Sequence, residues 1–436
     1  MANFVHADQQ EPDNQLKLVD LPTDDLICIF KFCDSLTLRN LSITCKRLHD
    51  VVRKDCVWLK WSNQCMITNQ LSNEVLSRTL NKLEAKERCR ISTNWMYGCY
   101  REKIYNSSVR YMPWLHLESR VLWISQGSNI LVVKRLLEGL KMHSPLATFR
   151  MGHKEDISRF VVTDDMIYSA SSDKNIYGWS ISSKKPVFCL CAIHSQSILG
   201  IDCKRNILVS GSKDSTVKIW QLQEIGAPIC TQTVNVSDRV WCLAINPSLA
   251  SIAVGSAGYN NVHPLQLYDM ERGKELPITR SVRKNGAAVF DIRWESPDVF
   301  LTCGYDTVIR LWDLRLGRCV QAWTDPFNAP GYCLATDQHY SIMCGTAHNG
   351  RAQLWDKRLS TSSVQSYFGQ SVASSPVYSL SFDSSQLFLA QDSSINVLDF
   401  SRYNQPDSHF DDHLADYSAF WKKQTTTATL VPGSKI

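Results

Sequence analysis

Four stretches of this chain end in the same way. SSDKNIYGW (171–179), SKDSTVKIW (212–220), GYDTVIRLWD (304–313) and AHNGRAQLWD (347–356) each run from a turn Asp or Asn through alternating residues to a Trp. Val217 and Ile219 correspond to Ile309 and Leu311, and Lys218 to Arg310. That is the period of two expected of a strand with one buried face. PLQLYD (264–269) and SINVLD (394–399) fit with the Trp replaced. The closing positions Trp179, Trp220, Tyr268, Trp312, Trp355 and Leu398 lie 41, 48, 44, 43 and 43 residues apart. A degenerate seventh unit, VLWISQGSNILVV (121–133), stands about one period upstream. A single unit of this length cannot bury its apolar face alone, so neighbouring units must stack.

The period, four strands per unit and the terminal W-D pair resemble the WD40 propeller. Gly152-His153 and Trp179 bracket one repeat, and Trp312-Asp313 and Trp355-Asp356 close two others. The resemblance implies a mainly β, seven-bladed ring over residues 113–400. Its last blade would be completed by a strand from before the first repeat, for which Trp114–Glu118 is the candidate. It also implies two buried hydrogen-bond networks, His153, Ser169, Asp173 with Trp179 and His194, Ser210, Asp214 with Trp220. A catalytic triad would not recur at the same spacing, so these sets are read as structural. Elsewhere the set is incomplete: Asn349 replaces the turn Asp in one unit, and no His precedes Asp306 at matching distance.

Upstream, the pattern is helical. Residues 1–16 are polar and expected to be disordered. Over 17–65, apolar residues recur at helical spacing (Leu26, Ile29, Phe30; Leu38, Leu41, Cys45; Leu48, Val52), with Asp24 and Asp25 after Pro22 as helix-start signals. So few residues bury little core and should lean on a neighbour or partner. Residues 66–112 form a partly helical linker with eight Lys/Arg against four Glu, read as a solvated face.

Leu21-Pro22, Leu26, Ile29-Phe30, Leu36, Leu41, Cys45-Lys46, Leu48 and Trp58 are similar in order and spacing to the F-box. With the repeats, the resemblance is to the F-box/WD-repeat family over about residues 17–400. It implies a non-enzymatic substrate-recognition subunit of an SCF ubiquitin ligase. The F-box would bind Skp1, and through it cullin-1 and a RING subunit, and the propeller would bind a protein substrate. The alternative is a propeller scaffold that binds Skp1 without directing ubiquitination. Leu21, Pro22, Leu26, Ile29 and Phe30 are the adaptor-binding candidates, because short helices cannot bury them all. For the substrate, the family's top face directs attention to the starts of inner strands (Arg239, Trp241, Asp291, Tyr332, Tyr378). An enlarged loop there adds Tyr259, Asn260 and His263.

The remaining signals exclude more than they assign. Net charge is +5 over 436 residues, too small to indicate nucleic acid. The apolar runs fall short of the roughly 18 residues of a membrane span, and the N-terminus lacks a secretory pattern. Sixteen cysteines are scattered without a C-x-x-C, so reduced, mostly buried thiols in the cytoplasm or nucleus are expected. No cofactor or metal is implied. The tail 401–436 carries HFDDHLAD, whose His409 and His413 have helical chelating spacing without evident partner ligands.

Overall fold

The computed structural model describes residues 17–107, 110–224, 226–259, 261–278, 286–359, 362–370 and 374–402. The 403–436 tail, with His409 and His413, lies outside them. No helix among the described residues is long and apolar enough to cross a membrane.

Six α-helices come first: α1 (Thr23–Phe30), α2 (Ser35–Thr44), α3 (Lys46–Val52), α4 (Asp55–Gln64), α5 (Asn73–Arg78) and α6 (Ala85–Tyr97). Pro22 caps α1, and Asp24 and Asp25 occupy its positive first turn. The Asp34 carboxylate caps α2 by accepting from the Thr37 N–H at 2.7 Å. Gly98, at φ +67°, ends α6 in the left-handed conformation. Leu26, Phe30, Leu38, Leu48, Val51, Val52, Val57 and Trp58 form the core of this module, and Ala85 of α6 completes it.

Seven four-stranded antiparallel sheets follow as blades, the first with one further short strand. Their inner strands are Leu115–Leu117, Ile157–Val162, Ile198–Lys204, Val240–Ile245, Val289–Trp294, Gly331–Thr336 and Ser379–Phe382. Neighbouring blades touch in this order, and the seventh inner strand touches the first, closing the ring.

The closing strand differs from the expected one. Arg101–Asn106 forms the outer edge of the seventh blade, pairing antiparallel with Ser394–Asp399 from Arg101 opposite Asp399 to Asn106 opposite Ser394. Leu115–Leu117, within the segment expected to close the ring, is instead the inner strand of the first blade. The propeller therefore begins at 101 rather than 113. An outermost strand pairs on one side and is half wet, so Arg101–Asn106 lacks the apolar alternation that marks inner strands.

The 66–112 segment is a docked arm rather than a solvated spacer. Met66, Ile67, Ile91 and Trp95 share one core with Leu354, Tyr367, Leu380, Phe382, Leu398 and Phe400 of blades six and seven. Arg78, expected on a wet face, is buried and donates to the Thr336 carbonyl at 2.9 Å. Ile67 is held at φ +63°, a strained conformation for a β-branched residue, and its N–H reaches Ser341 Oγ at 3.0 Å.

In the second blade His153 contacts Asp173 at 3.0 Å and Ser169 Oγ at 2.8 Å, and Trp179 Nε1–H donates to the same Oγ at 2.8 Å. The third blade repeats this with His194, Asp214 (3.0 Å), Ser210 (2.9 Å) and Trp220 (3.1 Å). In the fifth, Thr302 alone accepts from Trp312 at 3.0 Å. In the sixth, Cys344 occupies the hydroxyl position and the buried Trp355 Nε1–H has no partner among the described residues.

Burial holds the His194 imidazole below its ordinary 6.5, against the pull of Asp214. Burial also opposes ionisation of Asp214, but hydrogen bonds from Thr216 and the Ser195 N–H, with His194 beside it, bring its carboxyl below 3.8. Both folded values lie below the unfolded ones, so the unfolded chain takes up protons first. The contribution of His194 is complete above pH 6.5 and is lost as pH falls below it; that of Asp214 is lost below 3.8. Thermal melting should be flat between about pH 7 and 8 and decline on acidification, less steeply between pH 7 and 5 in His194→Gln; above about pH 9 it should decline again, because burial holds Cys203, Cys242, Cys303 and Cys333 above the ordinary thiol value. An unchanged slope in that variant would refute the assignment.

Candidate functional site

Two surfaces stand out, one on the helical module and one at the end of the ring away from the arm. The arm contacts the turns that leave the inner strands: Trp95 Nε1–H donates to the Ser384 carbonyl at 3.1 Å, and Ile67 and Arg78 bind at 341 and 336. The other end carries the starts of those strands.

There, five inner strands share one irregularity. Pairing slips between Ile157 and Arg159, Ile198 and Gly200, Val240 and Cys242, Val289 and Asp291, and Gly331 and Cys333. A bulge of this kind leaves one residue unpaired and re-aims it. The bulged residues are Ser158, Leu199, Trp241, Phe290 and Tyr332; by sequence, Tyr378 and Trp114 hold the same position in blades seven and one. The aromatic members join into an arc. Trp241 meets Phe290 edge-on at 5.5 Å, Phe290 meets Tyr332 at 4.9 Å, and Tyr332 meets Tyr378 at 5.9 Å. Tyr305, 60% exposed, extends it from Phe290 at 6.5 Å. Burial raises the Tyr332 and Tyr378 phenols above 10, so the arc is uncharged near neutral pH.

Beneath the arc, Arg159 reaches from blade two to blade five, donating to the Phe290 carbonyl at 3.0 Å and pairing with Asp291 at 3.3 Å. Its guanidinium lies 4.2 Å from the Trp114 ring centroid. Asp291 also accepts from the Leu334 N–H at 2.9 Å and pairs with Arg293 at 3.3 Å. It is fully buried, which corrects its reading as a substrate contact: its oxygens are committed to holding blades two, five and six together. Arg239 is exposed, and Lys213 lies 5.6 Å from the Trp241 ring.

The enlarged loop is on this face but is tied down. Asp238 accepts from the N–H groups of Gly258 (2.6 Å) and Tyr259 (3.2 Å). His263 is buried with Nδ1 2.8 Å from the Leu265 carbonyl, so it pins the loop and is not available to a substrate. Tyr259 is 52% exposed. Asn260 lies outside the described residues. Phe290 and Tyr305 were absent from the sequence reading. The V-F-D-I stretch at 289–292, aligned with V-W-C-L at 240–243, carried the signal for Phe290.

On the helical module, Leu26 and Phe30 are fully buried and hold the core, which corrects their assignment as partner contacts. Leu21 packs partly against that core, and its carbonyl accepts from Arg47 at 2.6 Å. Pro22 is exposed, as are the large apolar residues Ile29 (42%), Phe32 (79%) and Ile43 (79%).

The F-box domain family matches residues 18–60, and the WD domain, G-beta repeat family matches 183–221 and 278–313. A helical F-box fixed to a seven-bladed propeller defines an F-box/WD-repeat protein of the substrate-receptor type. F-box/WD repeat-containing protein 4 of Mus musculus is 33% identical over 387 residues, covering 87% of this chain and 92% of its own. The Homo sapiens protein of that name is 34% identical over 384 residues, with the same coverage. E3 ubiquitin-protein ligase COP1 of Pisum sativum is 26% identical over 189 residues, 41% of this chain and 26% of its own. The chain belongs to the F-box/WD repeat-containing protein 4 family.

Proposed function

We propose that the chain is a substrate-recognition subunit of an SCF-type ubiquitin ligase, working in the cytoplasm or nucleus. Leu21, Pro22 and Ile29, with Phe32 and Ile43, are its Skp1-binding surface, and Skp1 links it to cullin-1 and a RING subunit. The aromatic arc, with Arg239, Tyr259 and Tyr305 around it, takes the protein substrate. The observation that carries this reading is the shared helix α6. Ala85 belongs to the F-box core, and Ile91 and Trp95 belong to the propeller core. One rigid element thus fixes the distance between an apolar F-box surface and a binding face on the far end of the ring. Catalysis is then a matter of effective concentration near a ubiquitin-loaded enzyme. The arc suits an apolar or aromatic side chain. Among the described residues, Arg159 and Arg293 beneath this face are committed to Asp291 rather than free for phosphate.

Two variants test the two surfaces separately. Pro22→Ala/Ile29→Asp should lower Skp1 capture by at least about tenfold, since each apolar contact contributes about 1.5–3 kcal/mol, and should leave other partners bound. Phe290→Ala/Tyr305→Ala should retain Skp1 and lose partners that accumulate when the proteasome or neddylation is inhibited. Undiminished Skp1 capture by the first variant sinks the adaptor assignment. Partners that bind through the arc but never accumulate under inhibition would make the chain a scaffold.

A further inference from the structure

At the joint between the F-box and the arm, two thiols are in contact. Cys65 caps the last turn of α4, and Cys89 lies in α6; their sulfurs are 3.9 Å apart. Both are partly exposed. Hydrogen bonds tie the residues after Cys65 to the helix that carries Cys89. Thr68 Oγ1–H donates to the Arg88 carbonyl at 2.8 Å, the Arg88 guanidinium donates to the Asn69 carbonyl at 2.6 Å, and Ser92 Oγ–H donates to the Met66 carbonyl at 3.3 Å. The sulfurs therefore face each other by construction of the joint. A disulfide needs about 2.05 Å between them, so the pair closes from 3.9 Å when it forms.

We propose that Cys65 and Cys89 are a reversible dithiol–disulfide site, oxidised by peroxide and reduced by small cellular thiols, that bolts the F-box to the propeller arm. Their chemical environment divides the roles. The hydrogen-bonding contact with Cys89, aided by Ser92, Thr68 and the Arg88 cation against the cost of burial, brings the Cys65 thiol down to about 7. The same contact and burial push Cys89 up. Cys65 is the nucleophile and Cys89 the resolving thiol. The Cys65 thiolate attacks one peroxide oxygen, the O–O bond breaks, and hydroxide leaves to be protonated as water, giving a sulfenic acid. The Cys89 sulfur then attacks the Cys65 sulfur. The S–S bond forms, the S–O bond breaks, and the hydroxyl leaves with the Cys89 proton as a second water. Two thiols and one hydrogen peroxide give one disulfide and two waters.

The fold supplies an internal control. Cys303 and Cys344 also adjoin one another, but they are buried at 1% and 3% exposure, and burial holds the Cys303 thiol far above its ordinary value. They should stay reduced.

The test is titration of the reduced full-length chain with hydrogen peroxide, followed by thiol blocking, proteolysis and mass mapping. The expected first product is an intramolecular Cys65–Cys89 cross-link, two hydrogens lighter, reversed by dithiothreitol and absent from Cys65→Ser and Cys89→Ser. The rate of Cys65 alkylation should be half-maximal near pH 7, against 9 for an ordinary thiol. Mapping the unmutated chain decides the matter even if a variant fails to fold. Oxidation of exposed Cys230 before Cys65, cross-links only between copies, or resolution of the Cys65 sulfenic acid by another cysteine would each overturn the proposal.

Discussion

Truncating Trp95 to alanine should destabilise the chain by about 3–5 kcal/mol, the range for emptying a buried Trp site. The indole is fully buried. It stacks on Phe400 with ring centroids 3.6 Å apart and meets Tyr367 and Phe382 edge-on at 5.5 and 6.3 Å. Its N–H and its backbone carbonyl are both used, the carbonyl accepting from the Tyr367 hydroxyl at 2.6 Å. Trp95→Phe keeps the stack but orphans the Ser384 carbonyl, at about 1–3 kcal/mol. Chemical denaturation ranks the three proteins. Limited proteolysis should cut the alanine variant within the arm, between residues 66 and 97. If the arm stays resistant, α6 is not what holds it. On the function proposed above, the alanine variant would still bind Skp1 and substrate but transfer ubiquitin poorly, because the distance between them is no longer fixed.

Arg135→Ala should cost a similar amount, about 3–5 kcal/mol, for an electrostatic reason. Arg135 and Asp383 are a fully buried pair joining the first blade to the seventh, where the ring closes. The guanidinium also donates to the carbonyls of Arg78 (2.6 Å), Glu118 (2.7 Å) and Ser119 (3.1 Å) and to Gln386 Oε1 (3.1 Å). Removing it leaves a carboxylate in the interior without its cation. Lysine keeps the charge but cannot reproduce a planar fork with this many acceptors, so Arg135→Lys should recover only part of the loss. Arg135→Met/Asp383→Asn removes both charges and should be milder than Arg135→Ala. Equal melting of Arg135→Ala and the natural chain would show that ring closure does not rest on this pair.

The repeats could be read from the sequence because each blade is local. A turn Asp, a strand of period two and a buried aromatic lie within about ten residues, and packing within one sheet makes the pattern obligatory. The F-box helices were legible for the same reason. Trp241, Tyr332 and Tyr378 were found as strand starts. Phe290 stood at the same place unrecognised, and Tyr305 follows Gly304 in a turn, where an aromatic has no periodic signature. Leu26 and Phe30 were misassigned because apolar spacing identifies a helix's buried stripe but does not tell inward burial from partner burial. The cysteines also proved less buried than expected: five are buried, seven intermediate and four exposed.

The amino-acid order by itself determined which segments are blades and helices, since those depend on neighbours a few residues away. Only the tertiary structure decided what the linker, the closing strand and the polar strand-start residues do. Arg101–Asn106 became a strand by pairing with residues near 400, and Trp95 became core by meeting Phe400. Asp291 became a brace rather than a contact because Arg159, 132 residues earlier in the chain, arrives across the ring. Such roles are set by the partner on the other side of a contact. Ring closure brings that partner close in space while leaving it remote in sequence, where no local period can register it.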